Sequence, residues 1–240
     1  MIINATNKDF KELNEEIRNA DYDCEINECS GQRYIGCGLS KHKLKVRGIS
    51  GNALGTYLNG AEIETFGNAQ DAVGDTMNEG RIIVHGNIGD AAGYAMRGGE
   101  IYVEKSAGYR AGIHMKAYKE KLPVMIIGGQ AGSFLGEYQA GGIIIVLGLN
   151  TENGSKIVGN FPCTGMHGGK MFLRSSCDQV TFPNGVHARP ATQEDLEEIK
   201  KYIENYAEFF GVDKDVIMES EFTIVTPDSK NPYKQMYVAN

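Results

Sequence analysis

Glycine returns in this chain at a fixed step, and that period constrains the fold more than any other feature. Steps of 19 residues link Gly36, Gly55, Gly74, Gly93 and Gly112; a step of 24 then reaches Gly136, and one of 27 reaches Cys163. The last two steps exceed 19 by five and eight residues, which marks two late insertions. Eight residues after each origin stand Leu44, Ile63, Ile82, Ile101, Ile144 and Met171, with Met125 filling the slot in the unit that carries the first insertion. Two positions further on stand Val46, Thr65, Val84, Val103, Ile127, Val146 and Leu173. Lys43, Glu62, Arg81 and Glu100 immediately precede the first apolar column, so the side-chain period is two and each unit ends in a strand.

A unit of this length is too short for a propeller blade and lacks the leucine spacing of a leucine-rich repeat. A left-handed β-helix rests on hexapeptides, and 19 is not a multiple of six. The expected fold is therefore an all-β solenoid, a single-stranded right-handed β-helix of about seven coils and roughly 34 Å long, with strands stacked about 4.8 Å apart. Lys43, Glu62, Arg81 and Glu100 alternate in sign on successive coils, and neighbouring rungs should pair for a few tenths of a kcal/mol to about 1 kcal/mol each.

The glycine-dense segment GNIGDAAGYAMRGGEIYVEK, from Gly86, could by itself suggest a phosphate cradle. Its glycines recur along the repeat, however, and neither the lysine of a phosphate loop nor the strand-then-helix setting of a dinucleotide fingerprint is present. Gly36, Gly55, Gly74, Gly93, Gly112 and Gly136 read instead as structural corners, where φ is positive or a neighbouring coil comes too close for a Cβ. Three residues after the origin the column reads Leu39, Leu58, Met77, Met96, Met115, Gln139 and Met166. A methionine row could hold a soft metal; methionine is also the adaptable filler of irregular cores, and His114 and His167 are the only imidazoles nearby.

A solenoid needs its ends covered. Phe10, Leu13 and Ile17 lie at helical spacing after Thr6 and Asn7. At the other end Thr192 and Asp195 form a capping-box pattern, followed by Leu196, Ile199, Ile203, Tyr206 and Phe210, with Gly211 as the stop. The expected organisation is a helical cap over residues 1–28, a β-helix over 29–174, and a loop, closing helix and tail over 175–240, so that helices cap both ends.

Acidic residues outnumber basic ones and the formal net charge is -7, which argues against non-specific binding of nucleic acid. The opening MIINATNKDF lacks the features of a secretory signal, and the longest apolar run, Ile143 to Leu147, is too short to span a bilayer. A cytoplasmic protein without membrane partners is expected. Five cysteines with no Cys-x-x-Cys pattern should be free thiols. Cys24, Cys29 and Cys37 lie close together and could supply three thiolates to a metal, although structural zinc takes a fourth ligand and tighter pairing; the alternative is buried thiols.

No set of residues compels catalysis. Gly132-Ser133-Phe134-Leu135-Gly136 does not centre its serine between two glycines, as a nucleophile elbow does. The best acid–base candidates lie three before the origin, where Asn52, Asp71, Asp90, Tyr109, Ser133 and Asn160 align. Asp71 and Asp90 would stand about 5 Å apart, near the carboxylate separation of retaining glycosidases. Asp and Asn at corners commonly bond backbone instead, and the column offers no aromatic groove for a sugar. A carbohydrate-active enzyme is thus a minor alternative, and it requires both carboxylates free in an open cleft.

The segments GGQAGSFLGEYQAGGIIIVLG and GNIGDAAGYAMRGGEIYVEK, with EDLEEIKKYIENYAEFFG and EFTIVTPDSKNPY following in that order, resemble the glycine-rich "GXGXG" domain at the carboxyl end of the glutamate synthase large subunit. The resemblance covers residues 30 to 235 or so; the same domain type is similar to one of the chains of formylmethanofuran dehydrogenase. It implies a β-helical scaffold without catalytic residues, cofactor or metal of its own. The expected partners are a glutamine amidotransferase and a flavin and iron–sulfur synthase polypeptide, which would carry the FMN and the clusters. A formylmethanofuran dehydrogenase-type or other amidotransferase complex is the alternative assembly. The insertions, Lys116 to Pro123 and Asn150 to Lys156, are the expected partner contacts, because loops that interrupt a solenoid protrude from it. The tail after the final strand is a further candidate for docking.

Overall fold

The computed structural model describes residues 1–149, 151 and 155–228. Its strands are β1 Ile2–Asn4, β2 Cys24–Ser30, β3 Lys43–Ile49, β4 Asn59–Phe66, β5 Glu79–Val84, β6 Glu100–Val103, β7 Val124–Ile127, β8 Ala140–Val146, β9 Gly168–Leu173, β10 Val186–Pro190 and β11 Thr223–Pro227. Three helices, α1 Phe10–Arg18, α2 Gln193–Phe210 and α3 Lys214–Met218, complete the described elements. The strands form one sheet in the order β1-β2-β3-β4-β5-β6-β7-β8-β9-β11-β10. Pairing from β1 through β9 is parallel, which is the signature of a β-solenoid coiling once per repeat.

Register follows the sequence period residue for residue. Leu44, Ile63, Ile82, Ile101, Met125, Ile144 and Met171 pair in succession, and so do Val46, Thr65, Val84, Val103, Ile127, Val146 and Leu173. Both columns point inward and are buried. Thr65, the one polar member, shares a hydrogen bond of 3.3 Å with the hydroxyl of buried Ser50, so no lone hydroxyl is stranded in the core. A second line of parallel bridges, Ser50–Ala69–Ile88–Ala107–Ala131–Val158, closes another side of each coil. The charged column pairs as its signs require: Lys43 meets Glu62 at 3.1 Å, and Arg81 meets Glu62 at 3.6 Å and Glu100 at 3.1 Å.

The solenoid has about eight turns rather than seven, because β2 adds a rung before β3 and β1 pairs in parallel beyond it. β1 lies within the stretch expected to be a helical cap, residues 1–28, and β2 begins in it. That stretch does contain α1, whose N-cap is Asp9, not Thr6 or Asn7; the Asp9 carboxylate accepts from the backbone N–H of Lys11 at 2.8 Å and Glu12 at 2.9 Å. Leu13 and Ile17 of α1 are buried in the solenoid core.

The closing helix lies elsewhere than its expected end position. The outward-facing column of the strands begins with Lys45 and Glu64 and then turns apolar, as Ile83, Tyr102, Ile126, Ile145 and Phe172. Helix α2 packs Ile199, Tyr202, Ile203 and Tyr206 onto that stripe, along the flank of the solenoid. Burying each large side chain there is worth roughly 1.5–3 kcal/mol. Two bonds fix the helix along the rod: the Tyr206 hydroxyl donates to the Glu104 carbonyl at 3.0 Å, and the Asn205 amide donates to the Tyr102 hydroxyl at 3.0 Å. The exposed edge of β9 is covered instead by β11, which runs antiparallel to it and carries β10 on its far side.

Candidate functional site

The side of each coil opposite the pleated strands is a short turn that alternates in backbone handedness. Gly36, Gly55, Gly74, Gly93, Gly112 and Gly136 all adopt positive φ, from 63° at Gly136 to 71° at Gly36 and Gly112. At Gly93 a Cβ would stand 2.5 Å from the Met125 methyl, pointing into the core. Two positions to either side, Ala91 and Ala95 also have positive φ, of 54° and 48°, and are only half-buried, whereas Gly93 is buried. The origin is thus glycine for two reasons at once, backbone sign and core clearance.

Two ladders of polar side chains stitch neighbouring coils together on this scaffold. Asn52 accepts from the Asp71 N–H at 3.3 Å, Asp71 from the Asp90 N–H at 2.9 Å, Asp90 from the Tyr109 N–H at 2.8 Å, and the Ser133 hydroxyl from the Asn160 N–H at 3.0 Å. The second ladder runs from Asn68 to the Asn87 N–H at 2.8 Å, from Asn87 to the Ser106 N–H at 3.1 Å, and from Ser106 to the Gln130 N–H at 3.0 Å. Asp71 and Asp90, the candidate carboxylates, are therefore each engaged by the backbone one coil on. A glycosidase pair needs its carboxylates turned toward a shared substrate, and this geometry spends one oxygen of each on holding coils in register.

The methionine column is core: Met77, Met96 and Met115 are fully buried, with Leu58 below them and Met166 above. Gln139 replaces methionine in one coil and is also fully buried. Its amide donates to the carbonyls of Gly141 at 3.2 Å and Gly142 at 3.1 Å, while its carbonyl oxygen has no protein partner. All five cysteines are free. Cys24 and Cys29 sit on β2 in the core, where the Cys29 thiol donates to the Ile49 carbonyl at 3.2 Å; Cys37 is half-buried on the first turn. Burial raises the thiol pKa of all three, most directly by removing water from the thiolate. Cys163, in the place of the last origin glycine, is pushed up to about 12 by burial. Among the described residues no group of three or more His, Cys, Asp or Glu side chains is placed to hold a metal ion.

Of the two insertions, Lys116 to Pro123 folds as a small hairpin closed by the Tyr118 and Lys121 backbones, and Lys121 reaches back to Glu79 at 2.8 Å. Most of Asn150 to Lys156, and the tail from residue 229, lie outside the described residues. Sequence reasoning missed Asn14, a buried amide on α1. Its side chain accepts from the Gly36 N–H at 3.1 Å, whereas the equivalent Gly55 N–H donates to the Ile35 carbonyl of the preceding coil at 2.9 Å. Asn14 thereby supplies the acceptor that an absent coil would have provided. Its position in a polar helical run, NEEI, carried no signal of this.

No helix among the described residues is long and apolar enough to cross a membrane. The family model for the GXGXG motif matches residues 3–228. An uncharacterized protein of Methanocaldococcus jannaschii is 43% identical to this chain, in an alignment that covers 99% of this chain and 96% of that protein.

Proposed function

The chain belongs to the GXGXG motif family, and from that premise we propose that it is a non-catalytic scaffold subunit of a glutamate synthase-type complex. The observation that carries the reading is the coincidence of family and solenoid: the match extends over the helices, the coils and the closing strand together, so residues 3–228 are taken up by the one GXGXG domain. Asn52, Asp71 and Asp90 on the turns are engaged in coil-to-coil bonds, as a support requires.

In this proposal ammonia release and its reductive use belong to separate chains. A glutamine amidotransferase holds the nucleophile, and a synthase polypeptide holds FMN and iron–sulfur clusters. The solenoid supplies a rigid surface along which the two are positioned. Its parallel coils bury apolar side chains on the inner face throughout and on the outer face beneath α2, which makes a stiff element suited to that task.

Affinity capture of the tagged, full-length protein from its native cells tests the proposal. Identification of an amidotransferase and a flavin and iron–sulfur polypeptide, together with glutamine-dependent glutamate formation by the eluate, is the expected result. Partners that carry molybdenum or tungsten would replace it with a formylmethanofuran dehydrogenase-type assembly. Polysaccharide cleavage by the isolated chain, lost on Asp71→Asn or Asp90→Asn, would overturn the scaffold reading altogether.

A further inference from the structure

The chain is acidic overall, yet the turns around Gly93 and Gly112 concentrate unpaired cations beside exposed aromatic rings. Tyr94 and His114 meet edge to face at 5.8 Å, and His114 stacks on Tyr138 at 5.1 Å. Arg97 and Lys116 are exposed on the same two turns, each the residue immediately after a buried core methionine, Met96 or Met115. The hairpin of the first insertion brings in Tyr118, with the Arg97 guanidinium 6.0 Å and the Lys119 ammonium 5.3 Å from its ring centre. Tyr94, His114, Arg97, Lys116, Tyr118 and Lys119 are all exposed. None of Arg97, Lys116 and Lys119 has a carboxylate partner among the described residues, while Lys121 in the same hairpin does.

We propose that this patch docks an acidic polypeptide segment of a partner chain, the carboxylates meeting Arg97, Lys116 and Lys119 while apolar or aromatic side chains lie on Tyr94 and Tyr118. The proposal rests on the scaffold reading and names the chemistry of one partner surface. Aromatic and arginine side chains are the residue types that dominate the energetics of protein interfaces, and charge complementarity sets partner choice and encounter rate. The extent of the patch favours a short acidic stretch over a nucleic acid. One coil earlier the position of Tyr94 is held by Asp75 and that of Asp90 by Asp71, so a phosphate backbone continuing along the rod would meet further carboxylates within about 10 Å.

Fluorescence anisotropy with the purified full-length chain and a dye-labelled peptide of alternating glutamate and tyrosine provides the test. Saturable binding at low ionic strength, weakened about tenfold or more at ~0.2 M salt, is expected. The R97E/K116E/K119E variant should lose at least about tenfold in affinity with an unchanged melting temperature. If that triple change lowers the melting temperature, Lys119→Glu alone, at the hairpin tip, gives the same readout with a smaller loss. Failure of the native protein to bind the peptide, or equal binding by the variants, would refute the proposal. Tighter binding of a single-stranded oligonucleotide, or self-association abolished by the triple change, would reassign the patch. Peptide binding by the isolated chain does not depend on which complex is captured from cells, so either reading can fail without the other.

Discussion

Glycines serve this solenoid in two separable ways, and substitution distinguishes them. Gly93 has positive φ and faces the flexible methyl of Met125, whereas Gly67 has no such φ but places its missing Cβ 2.2 Å from the Gly48 carbonyl oxygen of the coil below. A side chain can rotate away; a backbone carbonyl committed to the stacked coil cannot. Gly93→Ala should therefore cost about 1–2 kcal/mol, the left-handed penalty of an L-residue, and Gly67→Ala about 3 kcal/mol, toward the upper end of overpacking. Gly93→Val adds a second branch at the crowded site and should exceed Gly93→Ala. Urea midpoints at constant slope measure the order, and Gly67→Ala milder than Gly93→Ala would refute the distinction. Thiol chemistry follows burial in the same way. Cys163 is enclosed and its thiolate is disfavoured, so a thiol-specific reagent at pH 8 should modify half-buried Cys37 first and leave Cys163 unmodified until denaturant is added. Mass spectrometry of the partly modified protein reads which site reacts.

Helix α2 was fully legible as a helix and illegible as to place. Thr192 and Asp195 form a reciprocal capping box, and Gly211 ends the helix in the left-handed region with φ of 66°. The apolar stripe of α2 announced a buried face, but its partner surface was written in the strands. Where a strand has solvent on its outer face it alternates, as Lys43 to Arg47 does; where both faces are covered the alternation disappears, as in the run of four buried residues Val124–Ile127. The loss of period two from β5 onward was the signal that something covers the outer face. Tyr206→Phe should cost about 1 kcal/mol by leaving the Glu104 carbonyl without its donor, and Thr192→Ala about the same through the lost cap. The box also predicts a pH dependence. The hydrogen bond from Arg189, with the Thr192 bonds, holds the Asp195 carboxyl well below the usual carboxylate range. Its contribution is thus present above about pH 4, the unfolded-state value, and disappears as acid protonates the native carboxylate. The stability gap between the native protein and Asp195→Asn should be widest near neutrality and close on acidification. A gap that stays constant down to about pH 2 would mean that the charge on Asp195 is irrelevant to it.

Taken as a rod, the molecule is quasi-one-dimensional, and its two ends are finished by different devices. Seven rungs were visible because seven origins were visible, six glycines and Cys163. The rung before them was hidden because the position 19 before Gly36 is Ile17, inside α1. There a helix replaces the glycine turn, Ile17 fills the core beneath it, and Asn14 takes the Gly36 N–H that a preceding coil would accept. β2 is further disguised by a bulge, since its register with β3 shifts between Ile26 and Cys29, where Glu28 has φ of 57°. A repeat search detects copies of a unit and so passes over the unit that was rebuilt as a cap. This asymmetry has a measurable consequence. In a solenoid, coils contact mainly their neighbours, so damage at one end should spread only as far as the next strongly coupled block. The block here is the set of coils from β5 to β9, tied together from outside by α2 through Ile83, Tyr102, Ile126, Ile145 and Phe172. Asn14→Ala leaves the Gly36 N–H unpaired in the core and should cost about 1–3 kcal/mol, concentrated at the first coils. Hydrogen exchange under native conditions should then speed up for amides of β2 and β3 and leave those of β6 to β8 unchanged. Equal acceleration along the whole rod would show that the coils open as a single unit, and that the α2 clamp divides nothing.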